Sequence, residues 1–166
     1  REASGTGWRP AVQSWPDFDG RVWEKTVRDA AREATPRPPQ AILANDWHEG
    51  ALSLAYRDAE AAGVADHITF FNDDVAGWYP PQTPGLVVTN PPWDVRLTGA
   101  ERSWEKLLAF LRRELPGGNA WVLSGNPELS RALRMKADRS MFLVQGRAHL
   151  RWLKYHIREP RGEGGG

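Results

Sequence analysis

Apolar positions along this chain alternate between two periods. In "GRVWEKTVRDAAREATP" (20–36), Val22, Trp23, Val27, Ala30 and Ala31 share one helical face, and the prolines at 36–39 close it. "AILAND" is a short apolar run of strand length. "EGALSLAYRDAEAAGV" is an alanine-rich amphipathic helix that meets Gly63 where a stop is expected. "HITFFNDD" and "GLVVTN" predict two more strands. "GAERSWEKLLAFLRRELPGG" predicts a helix through Trp104, Leu107, Leu108, Leu111 and Leu115, ended by Pro116 and Gly117. "NAWVLSG" is a fourth strand. "NPELSRALRM" opens with Asn126 as N-cap and Pro127 at the first helical position. "SMFLVQGRAHLRWLKYHI" holds two strand-like runs around Gln145-Gly146, a hairpin signature. Residues 1–19 lack periodicity and read as loop, and residues 159–166 read as a disordered tail.

Strands alternating with helices, and apolar rather than alternating themselves, predict an α/β fold with a largely parallel sheet covered on both faces. Ligands of such sheets sit at the carboxyl ends of the strands. Polar residues fall at three of those ends: Asn45 and Asp46, Asp73 and Asp74, and Asn90.

Composition narrows the class. The chain has 166 residues, 40% hydrophobic and 26% charged, as expected of one globular domain. No apolar run approaches the roughly 20 residues of a membrane-spanning helix, and no signal-peptide pattern opens the chain. The absence of cysteine excludes disulfides and thiolate metal sites, and no metal centre is expected. Net charge is only +1, but from Arg131 onward nine Lys or Arg face three acids. That excess reads as a solvated surface or as weak support for a phosphate-rich partner. The first residue is Arg1, which points to a processed chain or a piece of a longer one.

The strand ends carry the candidate chemistry. Asp46 is placed to accept hydrogen bonds from ribose hydroxyls, or simply to cap the following helix. Asp74 or Asp73 has the choice of accepting from an adenine amine or stabilising a turn. Asn90-Pro91-Pro92-Trp93 is more telling. The lone pair of an exocyclic base amine is delocalised into the ring. Acceptors on its N–H groups would localise that lone pair and aim it at an electrophilic methyl. The Asn90 carboxamide oxygen and the Pro91 carbonyl are suitable acceptors. Two prolines lock φ and remove competing donors. Trp93 offers a face for an extruded base, or else belongs to the core.

"VVTNPPWDVRL" resembles the catalytic loop of amino methyltransferases, specifically the S-adenosylmethionine-dependent RNA guanine-N2 methyltransferases with an N-P-P-[YFW]-G-x-R-L loop, the THUMP-associated methylases. "ILANDWHEGALSLAYRDAEAAGV", "ITFFNDD", "WVLSGNPELSRALRMKADRSMFLVQGRAHLRWLKYHI" and "WPDFDGRVWEKTVRDAAREA" resemble further segments of that family. The resemblance implies a Rossmann-like class I methyltransferase fold with a C-terminal antiparallel hairpin. It implies that Asp46 holds the ribose of S-adenosyl-L-methionine, that Asp74 and Val75 lie by its adenine, and that Asn90, Pro91, Pro92 and Trp93 grip the target base. Asn90 would also border the cofactor. Arg96 and Leu97 match the family's "RL". Asp94 stands where glycine is usual, and Gln145 and His149 depart from the family's Asn-Gly turn and acidic residue. The family's glycine-rich first motif is not found. "SGTG" at 4–7 has no strand before it and no helix after it.

The expected organisation is therefore a partial methyltransferase domain over 1–158, missing its first strand. It comprises a loop (1–19), a helix (20–35) and an α/β core (40–158), and this piece alone is expected to bind cofactor poorly and be inactive. The implied substrate is guanine N2 of ribosomal RNA, docked by a separate upstream domain; the expected compartment is the cytoplasm, with the nucleus or an organelle as alternatives. The alternatives are adenine-N6 or protein glutamine methylation, and a non-catalytic nucleotide-binding fragment. An oxidoreductase using Asp46 on a nicotinamide ribose would have no use for Asn90-Pro91-Pro92-Trp93.

Overall fold

The computed structural model describes residues 10–35, 37–93 and 99–159. The chain divides into two compact units, Arg1–Asn72 and Asp73–Gly166. In the first, helix α1 (Gly20–Glu33) is followed by strand β1 (Ile42–Asn45), helix α2 (Glu49–Ala61) and strand β2 (Ile68–Phe71). Asp19 caps α1, accepting from the amides of Arg21 at 2.8 Å and Val22 at 3.3 Å. The apolar stripe of α1 exists as predicted, but none of its residues is buried, and Val22 is 61% exposed. Helix α2 ends where its sequence says it should. Gly63 adopts φ 68°, the Val64 amide donates to the Ala59 carbonyl and the Gly63 amide to the Glu60 carbonyl, both at 2.9 Å. This double closure needs the left-handed conformation that glycine takes without steric cost. Strands β1 and β2 pair in parallel as a two-stranded sheet.

The second unit holds β3 (Leu86–Thr89), α3 (Ala100–Glu114), β4 (Asn119–Ser124), α4 (Pro127–Arg131), β5 (Arg139–Gln145) and β6 (Ala148–His156). Its sheet runs β3-β4-β6-β5, parallel between β3 and β4 and antiparallel in the other two pairings. Gln145 pairs with Ala148, so the hairpin turn is Gly146-Arg147, with Gly146 at φ 59°. Asn126 caps α4 through the amides of Glu128 and Leu129, with Pro127 in the first turn.

The expectation of strands covered on both faces needs correction. Strand β4 alternates, with Ala120, Val122 and Ser124 buried and the residues between them half-buried. Helices α3 and α4 contribute Trp104, Leu107, Phe110, Leu111 and Leu129 to one core with Ala120, Val122, Leu153 and Tyr155. By register, Leu86 and Val88 belong to the opposite face and are 57% and 61% exposed. The reason is topological: α3 and α4 serve the same face. Edge strand β5 is exposed along its whole length, including Met141, Phe142, Leu143 and Val144. Strands β1 and β3 fall in different sheets. Among the described residues no helix is long and apolar enough to cross a membrane.

Candidate active site

Asp46 follows β1 in the first unit and is tied to the end of β2. Its amide donates to the Phe71 carbonyl at 3.3 Å, and its own carbonyl accepts from Asn72 Nδ2 at 2.8 Å. The side chain does not cap α2. His48 does, Nδ1 accepting from the Ala51 amide at 3.2 Å, while Asp46 Oδ1 accepts from the His48 amide at 2.8 Å. One carboxylate oxygen thus fixes the turn, leaving the other to accept from a ligand hydroxyl.

The remaining predicted residues lie in the second unit. Asp74 Oδ1 accepts from the Ala76 amide at 2.9 Å, and Oδ2 forms an ion pair with Lys106 of α3. The Lys106 hydrogen bond, helped by the Ala76 amide, holds the Asp74 carboxyl below its ordinary value. The segment after Asp74 is braced by Arg113, which donates to the carbonyls of Ala76 at 3.0 Å and Trp78 at 2.7 Å and lies 4.3 Å from the Tyr79 ring centre. Val75 is half-buried against the core.

The loop after β3 is built from its own residues outward. Asn90 is exposed, Pro91 buried, Pro92 exposed and Trp93 half-buried. The wholly buried Trp104 of α3 donates its indole N–H to the Pro92 carbonyl at 2.8 Å. Trp93 donates its own indole N–H to Asn90 Oδ1 at 3.1 Å. Its ring packs on the core and presses against Gly125, where a Cβ would come within 2.7 Å of Cδ2. The four loop residues are therefore brought together, and Trp93 is part core and part site. Asp94, Arg96 and Leu97 lie outside the described residues, as does "SGTG" at 4–7. Sequence reasoning missed Trp104, Gly125 and Lys106. A buried indole N–H needs an acceptor, and a proline loop has carbonyls to spare, so Trp104 was the one with a readable signal.

Parallel β1-β2 and β3-β4 pairings with intervening helices, and an antiparallel β5-β6 hairpin closing the second sheet, match the fold of class I S-adenosylmethionine-dependent methyltransferases. SMU.472, classed as a methyltransferase and solved in complex with SAH, superposes with a TM-score of 0.73 at 16% identity, over 93% of this chain and 42% of that one. A predicted N6-adenine-specific DNA methylase from Listeria monocytogenes gives 0.65 at 24% identity, over 89% of this chain and 38% of that one. The model of the RMKL-like methyltransferase domain family matches residues 5–154, and the chain belongs to that family. Among curated relatives, ribosomal RNA large subunit methyltransferase K/L of Pseudoalteromonas atlantica is 29% identical over 150 residues, 87% of this chain and 21% of that protein. Its counterpart in Shewanella frigidimarina is 29% identical over 140 residues, 81% of this chain and 20% of that protein. The chain thus spans about a fifth of the length of the curated relatives it matches.

Proposed function

We propose that this chain is part of an S-adenosylmethionine-dependent RNA methyltransferase that modifies the N2 amine of a guanine in ribosomal RNA. The observation that carries the reading is the exposed Asn90 at the carboxyl end of β3, in a proline loop pinned from below by Trp104. Such an amide can accept from the target amine without moving, so its orientation cost is met before substrate arrives. The cofactor, when bound, supplies a sulfonium methyl as electrophile. Taken unit by unit, the residues suit its polar parts: in the first, Asp46 has a carboxylate oxygen able to accept from a ribose hydroxyl, and in the second, Asp74 and Val75 have an acceptor and an apolar side chain suited to an adenine.

The accepting amine would take that methyl group, the cofactor's sulfur departing as a neutral thioether, while Asn90 and Pro91 of this chain hold the amine in place. Asn90 Oδ1 and the Pro91 carbonyl hold the amine N–H groups and draw its lone pair out of conjugation. The surplus proton leaves to solvent after transfer, so no strong base is required of this chain. The names of the K/L relatives support ribosomal RNA as the substrate class. The test is incubation of the full-length protein with labelled cofactor and ribosomal RNA, DNA or protein, followed by identification of the modified group. N2-methylguanosine is the expected product. N6-methyladenine or a methylated glutamine would replace this reading, and no labelled product would refute it.

A further inference from the structure

The most directed contact of Trp93 is made by its nitrogen and not by the face of its ring. The indole N–H can only donate. The atom of Asn90 that faces it at 3.1 Å is therefore the carboxamide oxygen and not the amide nitrogen, a choice that an isolated asparagine leaves open. We infer that Trp93 is a positioning residue for Asn90: its indole N–H fixes the carboxamide with the oxygen at a constant place, and the bare backbone of Gly125 is what lets the ring sit there. The inference rests on the proposed methyl transfer for its consequence, though not for its geometry.

Three features support it. Pro91 and Pro92 lie between the two partners and fix two φ angles, so few loop conformations compete with the closed one. The Pro92 carbonyl is held by Trp104, whose side chain has no solvent exposure, so the loop is anchored to α3. The ring of Trp93 is seated against Gly125 at the end of β4, where a Cβ would lie 2.7 Å from Cδ2 and 2.8 Å from Cζ3. Backbone, indole and carboxamide thus form a chain of contacts from β4 to Asn90. A carbonyl oxygen has two lone pairs. One takes the indole proton, and the other remains for a substrate amine.

A stacking platform and a positioning residue differ in what phenylalanine does. Trp93→Phe keeps an aromatic face but loses the donor. In the full-length protein it should leave KM for RNA within about twofold and lower kcat on the order of tenfold, the range that one lost neutral hydrogen bond spans. Gly125→Ala should lower kcat similarly by displacing the larger ring, and adding it to Trp93→Phe should cost little more. Equal kcat for wild type and Trp93→Phe would overturn the inference. A second measurement needs no activity. In ¹H–¹⁵N spectra of this chain, the Trp93 indole resonance, identified by its loss in Trp93→Phe, should exchange slowly with water and shift in Asn90→Ala and Gly125→Ala. An indole signal indifferent to Asn90→Ala would likewise overturn it. If the full-length protein methylated nothing, the proposed function would fall, and the spectra would still decide the positioning.

Discussion

Three carboxylates and amides sit at strand ends, and their surroundings assign them different work. In the proposed reaction the main work of the Asn90 carboxamide is on the acceptor amine, even where it borders the cofactor. Asn90→Ala should therefore abolish methyl transfer while keeping cofactor affinity within a few-fold, because an interaction made mainly in the transition state costs rate and not binding. Asp46→Ala should do the reverse, raising the cofactor requirement with little change at saturation. Calorimetry and saturation kinetics on the full-length protein check both. Asp74 makes a pH prediction. Its carboxyl is held low by Lys106, so the pair contributes stability above the unfolded value of about 3.9 and loses it as pH falls through the lower folded value. The two side chains are substantially exposed, at 51% and 36%, so the effect on stability is small. NMR titration should find Asp74 ionised below ordinary aspartates in the wild type and shifted back upward in Lys106→Ala.

Elements differ in what they bury. Leu111 on α3 has no exposure, whereas Val27 on α1 is 49% exposed. Urea unfolding should show Leu111→Ala losing about 2–5 kcal/mol and Val27→Ala changing by less than about 0.5 kcal/mol. Equal losses would mean that α1 is packed in solution. The contrast also shows where the sequence was legible. Helices α2, α3 and α4 were readable because their signals are local: Gly63 after the last turn, the Trp104–Leu115 stripe, Asn126 followed by Pro127. The Asn90 loop was readable because two prolines in a row after a strand demand a reason. Which strand face stays exposed was not readable, since Leu86 and Val87 look alike as letters and only the register with β4 separates them. The partners of the site were hidden for the same reason. Trp104 lies twelve residues from the carbonyl it holds, and Lys106 thirty-two from Asp74. Gly125 looked like a strand terminus, and nothing local marks it as the seat of a ring.

Across the whole molecule, burial is concentrated in one unit. Of the buried hydrophobic residues among those described, only Ala59 lies in Arg1–Asn72, and the rest lie in Asp73–Gly166. Local opening costs least where few apolar contacts form. Hydrogen exchange should therefore release the amides of α2, β1 and β2 under conditions where those of β4 and β6 stay protected. Uniform protection across the two units would contradict this. The exposed strand β5 bears on a different property, the chain's behaviour in concentrated solution. Met141-Phe142-Leu143-Val144 is an apolar run on a strand that, among the described residues, pairs only with β6, the kind of segment that pairs with its own copy. Arg139 stands before it and Arg147 follows in the turn. Two like charges bracketing such a run act as gatekeepers, because stacking identical strands would bring them together. Their guard is electrostatic and so only as long-ranged as the ionic strength allows, about 10 Å at 0.1 M salt and about 3 Å at 1 M. Strong salt is therefore the condition under which turbidity should appear first, and Arg139→Gln with Arg147→Gln should lower the salt at which it does.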